Sequence, residues 1–421
     1  MNNAYVLVIN CGSSSLKFAL YDTHTQSEFK PLTLLSEGIA EHVSHNTASI
    51  TIHNGASKVS KSIDLDENTP SFHPRSLDEI LNYLNQHFDL DNNLIGVGHR
   101  VVHGGNIFSE SVLITEKVLD QIKSCSALAP LHNPANIVGI ETLKSRFAAC
   151  PQVAVFDTAF HQTIPKFAYT YAIPKAWSED YEIRRYGFHG TSHRYVSQQA
   201  ASFLEKDISA LSVITAHLGN GASVTAVSDG KSADTSMGMT PLEGLVMGTR
   251  SGDIDPGIFA YLSEKGHSIE DINQVLNKQS GLLGISNLSH DMRTLCEASK
   301  QGQQDAQLAL EVFCFKAAKQ IASMTASLKH LDALVFTGGI GENSSFVREL
   351  IISHLGLLGL SINKQKNNAK KVDNAIAISI QIDNSSRFSG SRYLRGVGNL
   401  NDRRSWSDSI YRVCYRSRLT A

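Results

Sequence analysis

Two stretches of the chain, about 200 residues apart, share one succession of apolar and polar positions. In each, an apolar strand of the buried type is followed by a turn of small polar residues and then by a returning strand. The first unit spans residues 5–9, 10–15 (NCGSSS) and 16–21, and the second spans 211–216, 217–221 (HLGNG) and 222–227. The repetition predicts a duplicated architecture, with one copy in each of two lobes.

The rest of the pattern predicts strands that alternate with helices. Residues 76–89 carry one apolar helical face, which is typical of an amphipathic helix. In residues 304–331 the apolar side chains recur every three or four positions, which predicts a long helix facing the core. Further strands are predicted at 49–53, 59–65 and 333–337, the last of them running into a glycine-rich turn at 338–343. This order indicates an α/β protein whose ligand binds at the strand ends.

Composition narrows the class of protein. The chain has 421 residues, of which 42% are hydrophobic and 19% charged, enough for two globular lobes. A formal net charge of -2 argues against nucleic acid or a membrane surface as a partner. No apolar run approaches the roughly 20 residues that span a bilayer, and the first residues do not resemble a signal peptide. The six cysteines lack disulfide or metal-ligand spacing, so we expect reduced thiols and a cytoplasmic location.

The two small-residue turns are the first candidates for chemistry. Glycine and serine let several backbone N–H groups converge on a phosphate. Lys17, just inside the returning strand of the first unit, could reach back to that phosphate. The structural alternative is a pair of ordinary tight hairpins. The glycine-rich turn at 338–343 matches neither the dinucleotide fingerprint nor the P-loop pattern.

Four further side chains stand among glycines or at strand ends. Arg100 and Arg250 are flanked by glycines, which suits a guanidinium that binds a carboxylate or phosphate, although a structural salt bridge would look the same. Asp157 follows an apolar strand, as a catalytic carboxylate or a helix N-cap would. His189 lies between small residues, where a neutral core histidine is the alternative. Together they fit phosphoryl transfer, in which catalysis is mainly positioning and charge neutralisation.

Six segments of the chain, taken in order, resemble the acetate kinase (acetokinase) family. They are NCGSSSLKF at 10–18, HRVVHGG at 99–105, FDTAFH at 156–161, YGFHGTSH at 186–193, HLGNGAS at 217–223 and GGIGEN at 338–343. The resemblance covers residues 5 to about 384. It implies the acetate and sugar kinase/Hsp70/actin superfamily, with two RNase H-like lobes that form a duplicated actin-like ATPase core. It also implies an active site in the cleft between the lobes and a homodimer.

The resemblance implies a role for each matching residue. Asp157 would be the catalytic acid/base, and His189 and Arg250 would stabilise the phosphoryl group in transfer. Arg100 would bind the acetate carboxylate, and the acetate methyl group would lie among Val102, Leu131, Phe188 and Pro241. Asn10 would ligate Mg²⁺, or Mn²⁺ in its place. The residues implied for ATP are Lys17, His217, Leu218, Gly219, Asn220, Gly221, Asp291, Met292, Arg293, Gly339, Ile340, Gly341, Glu342 and Asn343.

The implied reaction is reversible, in-line phosphoryl transfer from ATP to acetate, giving acetyl phosphate and ADP. A first lobe of residues 1–157 plus about 385–421 and a second lobe of 158–384 are expected. The bulk of Val102 favours acetate, because a smaller side chain would leave room for propionate. Two alternatives stay open: a propionate or butyrate kinase of the same family, and an actin- or Hsp70-like ATP-driven switch.

The C-terminal segment departs from the family. Residues 385–421 hold eight arginines and no lysine, whereas residues 1–384 hold nine arginines and 21 lysines. The family takes a metal ligand from a glutamate near its C-terminus, but the last glutamate here is Glu349. A compensated reading-frame slip or sequencing error over about 385–416 is one hypothesis, and a basic binding tail is the other. The carboxylates that could replace the missing ligand are Asp383, Asp402 and Asp408.

Overall fold

The structure, a computed structural model, describes residues 3–12, 15–23, 32–44, 47–65 and 72–368, together with the backbone of 375–380 and 410–415. The contacts within the chain divide it into two compact units. The first comprises the described residues up to Thr163 and Tyr169–Thr191, and the second comprises Ile164–Ala168 and the described residues from Ser192 onward. The domain boundaries expected from the sequence remain a prediction. Ser13, Ser14 and the three C-terminal aspartates lie outside the described residues, as does most of the arginine-rich segment.

An eight-stranded sheet forms the centre of the first unit, in the order β5-β4-β3-β2-β1-β6-β8-β7. The central strand β1 pairs with β2 in antiparallel and with β6 in parallel, and β6 pairs with β8 in parallel. The predicted strands at 5–9, 16–21, 49–53 and 59–65 are confirmed as β1, β2, β4 and β5. The strands are β1 (Tyr5–Cys11), β2 (Ser15–Asp22), β3 (Thr33–Ser44), β4 (Thr47–Asn54), β5 (Ser57–Asp64), β6 (Leu94–Val101), β7 (Val112–Leu113) and β8 (Gln152–Phe156).

The sheet of the first unit is covered by two main helices. One apolar cluster joins alternate residues of β1, such as Leu7 and Ile9, to Leu77, Ile80 and Leu84 of the first helix. The predicted helix at 76–89 is confirmed, but it begins four residues earlier. The helices of this part of the chain are α1 (Phe72–Phe88), α2 (Leu90–Asn93), α3 (Glu116–Ser124), α4 (Asn133–Arg146), α5 (Lys166–Tyr169), α6 (Lys175–Asp180) and α7 (Gly190–Phe203). Of these, α4 packs against α1 and against β1 and β6, two strands that carry candidate site residues.

The sheet of the second unit repeats the same arrangement. Its order is β11-β10-β9-β12-β14-β13, and β9 pairs with β10 in antiparallel and with β12 in parallel. Strand β9 thus stands where β1 stands in the first sheet, with a hairpin partner on one side and a parallel strand on the other. The strands are β9 (Ser212–Leu218), β10 (Ala222–Ser228), β11 (Lys231–Thr235), β12 (Ala333–Thr337), β13 (Ala375–Ile380) and β14 (Ile410–Tyr415). The predicted duplication of an α/β unit is therefore confirmed.

The long helix of the second unit is shorter than the periodicity predicts. It begins at Gln304, as expected, but ends at Met324 rather than near 331. The hydroxyl of Thr325 donates to the Ala322 carbonyl at 2.6 Å, and Leu328 is extended. Such local hydroxyl bonds compete with helix propagation. The helices are α8 (Gly257–Glu264), α9 (Ile269–Lys278), α10 (Gly281–Ser286), α11 (Met292–Lys300), α12 (Gln304–Met324), α13 (Gly338–Asn343), α14 (Ser345–Ser353) and α15 (Lys364–Asn368).

Two buried histidines make the first unit sensitive to acid. Burial lowers the pKa of His99 and of His161 to about 4. Their Nε2 atoms donate to Gln152 Oε1 at 2.8 Å and to the Phe188 carbonyl at 2.9 Å. In the unfolded chain a histidine titrates near pH 6.5, so between about pH 6.5 and 4 the unfolded state binds more protons. We expect the free energy of unfolding to fall across this window by on the order of 2–4 kcal/mol per histidine.

Urea unfolding at pH 7.5, 6 and 5 measures this loss. The variants His99→Gln and His161→Gln should lose less stability than the parent between pH 7.5 and 5, whatever their stability at neutral pH. His87→Gln is the matched control, because His87 is exposed on α1 of the same unit. Equal acid-dependent losses in the parent and both buried variants would contradict the assignment.

Candidate active site

Four neighbouring strands of the first sheet bring the predicted polar residues of that unit to one edge. Asn10 is near the end of β1, and Lys17 is its direct partner across the β1–β2 pair. Arg100 is the second-last residue of β6, and Asp157 immediately follows β8. The carboxyl ends of the parallel strands β1, β6 and β8 share this edge, and the returning strand β2 starts there. Side chains up to 147 positions apart in the sequence therefore lie at the same edge of the sheet.

Arg100 is the centre of this cluster. Its Nε and Nη2 atoms donate to the two carboxylate oxygens of Asp157 at 2.9 and 2.6 Å, and Nη1 donates to Asn10 Oδ1 at 3.1 Å. The Asp157 side chain is only 3% exposed, whereas that of Arg100 is 23% exposed. Burial lowers the pKa of the guanidinium, but the charge of Asp157 and the hydrogen bonds to it outweigh burial and raise the pKa overall. Asp157 thus holds Arg100 charged and in one orientation.

Lys17 adds a second cation to the same edge. Burial lowers the pKa of its ammonium, and the charge of Arg100 lowers it further, while Glu41 acts in the opposite direction. The positive charge of Arg100 thus disfavours the charged form of Lys17, and a nearby anion would favour it. The electrostatics of this edge therefore suit an anionic ligand.

The backbone places His189 next to Asp157. The amide of Gly190 donates to the Asp157 carbonyl at 2.9 Å, and a Cβ atom on Gly190 would overlap that carbonyl. His189 itself has a φ of 57°, in the left-handed region that non-glycine residues rarely adopt. A strained φ at a residue fixed beside a buried carboxylate is typical of functional sites.

Two buried asparagines of α4 support the strand ends, and sequence reasoning missed both. Asn136 Oδ1 accepts from the Val102 amide at 3.0 Å, and its Nδ2 donates to the Cys11 carbonyl at 2.6 Å. Asn133 Oδ1 accepts from the His103 amide at 3.0 Å, and Asn133 Nδ2 donates to the His103 carbonyl. The spacing of three residues on one helix is the only sequence signal, and it does not distinguish buried from exposed asparagines.

The residues expected around the acetate methyl group are found in different settings. Val102 is 6% exposed and Phe188 is 1% exposed, and the Phe188 ring packs edge-on to His103 at 5.5 Å between ring centroids. Leu131 is 48% exposed in the turn before α4. Pro241 belongs to the second unit, where its carbonyl accepts from Arg250. Val102 and Phe188 are thus both buried side chains of the first unit.

In the second unit three segments converge on the turn at the end of β9. His217 lies in β9, with its Nδ1 atom 2.9 Å from the Ser192 hydroxyl oxygen, and the turn closes with a bond from the Gly219 amide to the Gly221 carbonyl at 3.0 Å. The Gly248 amide donates to the Asn220 carbonyl at 2.9 Å, and a Cβ on Gly248 would overlap Asn220 Oδ1. The segment that carries Arg250 therefore lies against the predicted phosphate turn.

The glycine-rich segment after β12 reaches the same turn. Gly338 has a φ of 76°, and a Cβ there would be 2.6 Å from the Leu218 carbonyl, so only glycine fits. The predicted turn at 338–343 is in fact helical and forms α13. In it, Asn343 Nδ2 donates to the Gly339 carbonyl at 2.8 Å and Glu342 Oε1 accepts from the Thr337 hydroxyl at 3.2 Å.

Arg250 and Asp291 have local partners in the structure. Arg250 Nη1 donates to the Pro241 carbonyl at 3.0 Å. Asp291 caps the N-terminus of α11 by accepting from the amides of Arg293 and Thr294, and it pairs with the exposed Arg293 guanidinium at 3.0 Å. Met292 is buried. The Arg293 side chain is thus exposed and the Met292 side chain is buried.

A metal ion would find an oxygen donor in Asn10. Its amide oxygen lies at the strand edge beside Arg100, and Mg²⁺ prefers such hard oxygen ligands. No group of three or more His, Cys, Asp or Glu side chains suited to a metal occurs among the described residues. Within the same residues, no helix is both long and apolar enough to cross a bilayer.

Comparison with known proteins decides the family. The sequence model of the Acetokinase family matches residues 5–388. The chain belongs to the acetokinase family. An acetate kinase of Chromobacterium violaceum is 50% identical over 368 residues, which cover 87% of this chain and 90% of that protein. Acetate kinase 1 of Neisseria meningitidis serogroup B is 48% identical, over 89% of this chain and 92% of that protein.

Solved structures of acetokinase relatives have the same fold. A propionate kinase from Francisella tularensis superposes with a TM-score of 0.84 at 44% identity, covering 100% of this chain and 97% of that one. Porphyromonas gingivalis acetate kinase gives a TM-score of 0.80 at 36% identity, covering 98% and 96%. The chain therefore has the duplicated fold of these kinases. Acetokinases are transferases that use ATP with a metal ion, and this chain is an enzyme of that class.

Proposed function

We propose that the chain is an acetate kinase, which transfers the γ-phosphoryl group of ATP to acetate and gives acetyl phosphate and ADP. The observation that carries this proposal is Arg100, a partly exposed side chain whose guanidinium Asp157 fixes at a strand edge shared with Lys17. A planar guanidinium can bind a carboxylate through two parallel hydrogen bonds. Homologous acetate kinases at about 50% identity over most of the chain support the same substrate.

The chemistry asks little of the protein beyond positioning. One acetate oxygen attacks the γ-phosphorus in line with the bond to the bridging oxygen of ADP, that bond breaks, and its electron pair leaves with ADP. Acetate is already ionised at neutral pH, so no base is needed to make it nucleophilic. The protein has to bring two anions together and stabilise the negative charge that spreads over the phosphoryl oxygens.

Asp157 acts in this proposal as a positioning residue for Arg100. Both of its carboxylate oxygens accept hydrogen bonds from Arg100, which leaves Asp157 engaged with a fixed cation. The resemblance to the family gives the same residue an acid/base role. The reaction as written has no proton to move, so orientation of Arg100 is the role that the contacts favour.

The second unit supplies the proposed nucleotide residues. Backbone amides of the turn at 217–221 and of α13 would face phosphate oxygens, since small residues let a phosphate approach the main chain closely. Lys17, His189 and Arg250 would neutralise charge on the transferring group. Mg²⁺ would enter with ATP, keeping phosphate oxygens and waters as most of its ligands, with Asn10 as the protein ligand and Mn²⁺ as a substitute. The metal's contribution would be to offset phosphate charge during transfer.

In this proposal the preference among short-chain carboxylic acid substrates depends on the space beside the Val102 side chain. The propionate kinase relative shows that this fold also accepts the longer acid. Replacing Val102 by alanine should shift the ratio of kcat/KM values from acetate toward propionate by roughly 10- to 200-fold, because one methylene in an apolar pocket is worth about that much. Competition assays with acetate, propionate and butyrate measure the ratio. Val118→Ala, on α3, is the control for loss of a valine side chain elsewhere in the unit. If the ratio of kcat/KM values is unchanged in Val102→Ala, Val102 does not line the acetate pocket.

A hydroxamate assay for acetyl phosphate tests the proposed reaction directly. The purified chain with ATP, Mg²⁺ and acetate should form hydroxamate-reactive product, and formation should stop when acetate is left out. Slow ATP hydrolysis without acetyl phosphate would instead favour an actin- or Hsp70-like switch, which needs no carboxylate site.

A cytoplasmic homodimer is also part of the proposal. In the described part of the chain, none of the eight residues of α8 is buried, although the helix is apolar and Tyr261 is 60% exposed. Such a face is typical of a protein–protein contact. We expect light scattering to give twice the chain mass of 45.9 kDa, and Tyr261→Glu to reduce it toward one chain mass. Lys300→Glu, at the exposed end of α11 in the same unit, is the control. A parent chain with the mass of a monomer would contradict the dimer.

A further inference from the structure

Arg348 is a fully buried cation that neither the sequence motifs nor the proposed reaction explain. It lies on α14, only 1% of its surface is exposed, and it is among the largest fully buried side chains of the described residues. Burying a guanidinium is costly unless its donors are satisfied by well-placed acceptors. The groups that accept hydrogen bonds from Arg348 therefore indicate its role.

The acceptors of Arg348 belong to the segment proposed to hold the nucleotide. Nη1 donates to the carbonyls of Gly341 and Glu342, both at 2.9 Å. Both carbonyls belong to the last turn of α13, at the negative end of the helix dipole, where a cation is stabilised. The neighbouring carbonyls of Gly339 and Ile340 accept from Asn343 Nδ2 and from the Ser344 amide. Arg348 thus completes the hydrogen bonding of the end of α13.

Asn367 holds Arg348 from the other side. Its Oδ1 accepts from Arg348 Nε and its carbonyl accepts from Nη2, both at 2.9 Å. Its own Nδ2 donates to the Ser345 carbonyl at 2.8 Å, and only 1% of Asn367 is exposed. One guanidinium therefore joins α13, α14 and α15 through a fork that lysine cannot reproduce.

We propose that Arg348, held by Asn367, is a positioning residue for nucleotide binding: it fixes the backbone of Gly339–Asn343 in the conformation that accepts ADP and ATP. This inference rests on the proposed function, because it assigns the nucleotide to that segment. Arg348 acts from behind the segment and has no role toward acetate. Its loss should weaken the binding of nucleotides selectively.

The test compares Arg348→Lys and Asn367→Ala with the parent. Arg348→Lys should raise KM for ATP, and the Kd for Mg-ADP measured by calorimetry, by roughly tenfold or more. Asn367→Ala removes one acceptor and should raise the same two quantities by a smaller factor. KM for acetate should stay within about twofold in both variants. Arg194→Lys, an exposed arginine of α7 in the same unit, should change neither.

The other possible results also support or refute the role proposed for Arg348. Equal rises in both KM values, or a lower kcat with both KM values unchanged, would overturn the proposal and leave Arg348 a purely structural residue. If Arg348→Lys does not fold, the KM values of Asn367→Ala decide by the same criterion. If the parent binds Mg-ADP but forms no acetyl phosphate, the proposed function fails while the weaker ADP binding of the variants would still support this inference. Unchanged ADP binding in the variants would refute it.

Discussion

Replacing Arg100 by alanine is expected to raise KM for acetate by on the order of 10- to 150-fold and to leave KM for ATP near its parent value. The guanidinium is the one charged group that the proposal aims at the substrate carboxylate, and a hydrogen bond to a charged group is worth about 1.5–3 kcal/mol. Steady-state kinetics with each substrate varied in turn measures the difference. A KM for ATP that rises as much as that for acetate would contradict the assignment.

Stability has to be followed in the same variant. Removing Arg100 leaves the Asp157 carboxylate, 3% exposed, without its cation, and breaking a buried pair costs about 3–5 kcal/mol. Arg146→Ala is the matched control, because it removes an arginine from an exposed pair with Asp91.

Asp157→Asn keeps the shape of the side chain but removes the charge that orients Arg100. If Asp157 only positions Arg100, this variant should raise KM for acetate without introducing a new pH dependence of kcat.

Replacing Arg250 by alanine is expected to lower kcat by roughly 10³-fold or more, with much smaller changes in either KM value. An arginine that meets charge developing in phosphoryl transfer contributes mainly to the transition state. In the structure Arg250 is held by the Pro241 carbonyl, on a segment bonded to the turn at 217–221. Single-turnover and steady-state rates measure the effect.

Two controls separate a chemical from a structural role of Arg250. Arg250→Lys keeps the charge but loses the fork, so it should recover part of kcat. Arg194→Ala, an exposed arginine of the same unit, should leave kcat unchanged. A kcat for Arg250→Ala within tenfold of the parent would reassign Arg250 to structure.

The family resemblance places a metal-ligand glutamate in the C-terminal segment, which lies outside the described residues. The family match ends at residue 388, close to where the arginine-rich composition begins. Resequencing the gene distinguishes a frame slip from a genuine tail. The hypothesis that the missing C-terminal glutamate weakens magnesium use stays a prediction for the chain as written.

The sequence by itself determined several of the main strands and helices, the duplication and the family. Strands β9, β10 and β12 could be predicted because buried strands are mainly apolar runs, and β1 and β2 because a small-residue turn separates two apolar-rich segments. Strand β3 was missed, since Glu37, Glu41 and His42 hide its alternation and only pairing with β2 and β4 makes it a strand. Helix α12 was predicted too long, because periodicity does not register the hydroxyls that end it.

Only the tertiary structure decided which groups act on one another. The sequence suggested Arg100 and Asp157 separately. The parallel order of β1, β6 and β8 brings them together, so that Arg100 forms a bidentate pair with Asp157 and also donates a hydrogen bond to Asn10. Asn133, Asn136 and Arg348 could not be singled out from the sequence, since their importance comes from the carbonyls and amides that packing places beside them. A hydrogen bond depends on distances of about 3 Å between residues far apart in the chain, and these distances exist only after the sheets have formed.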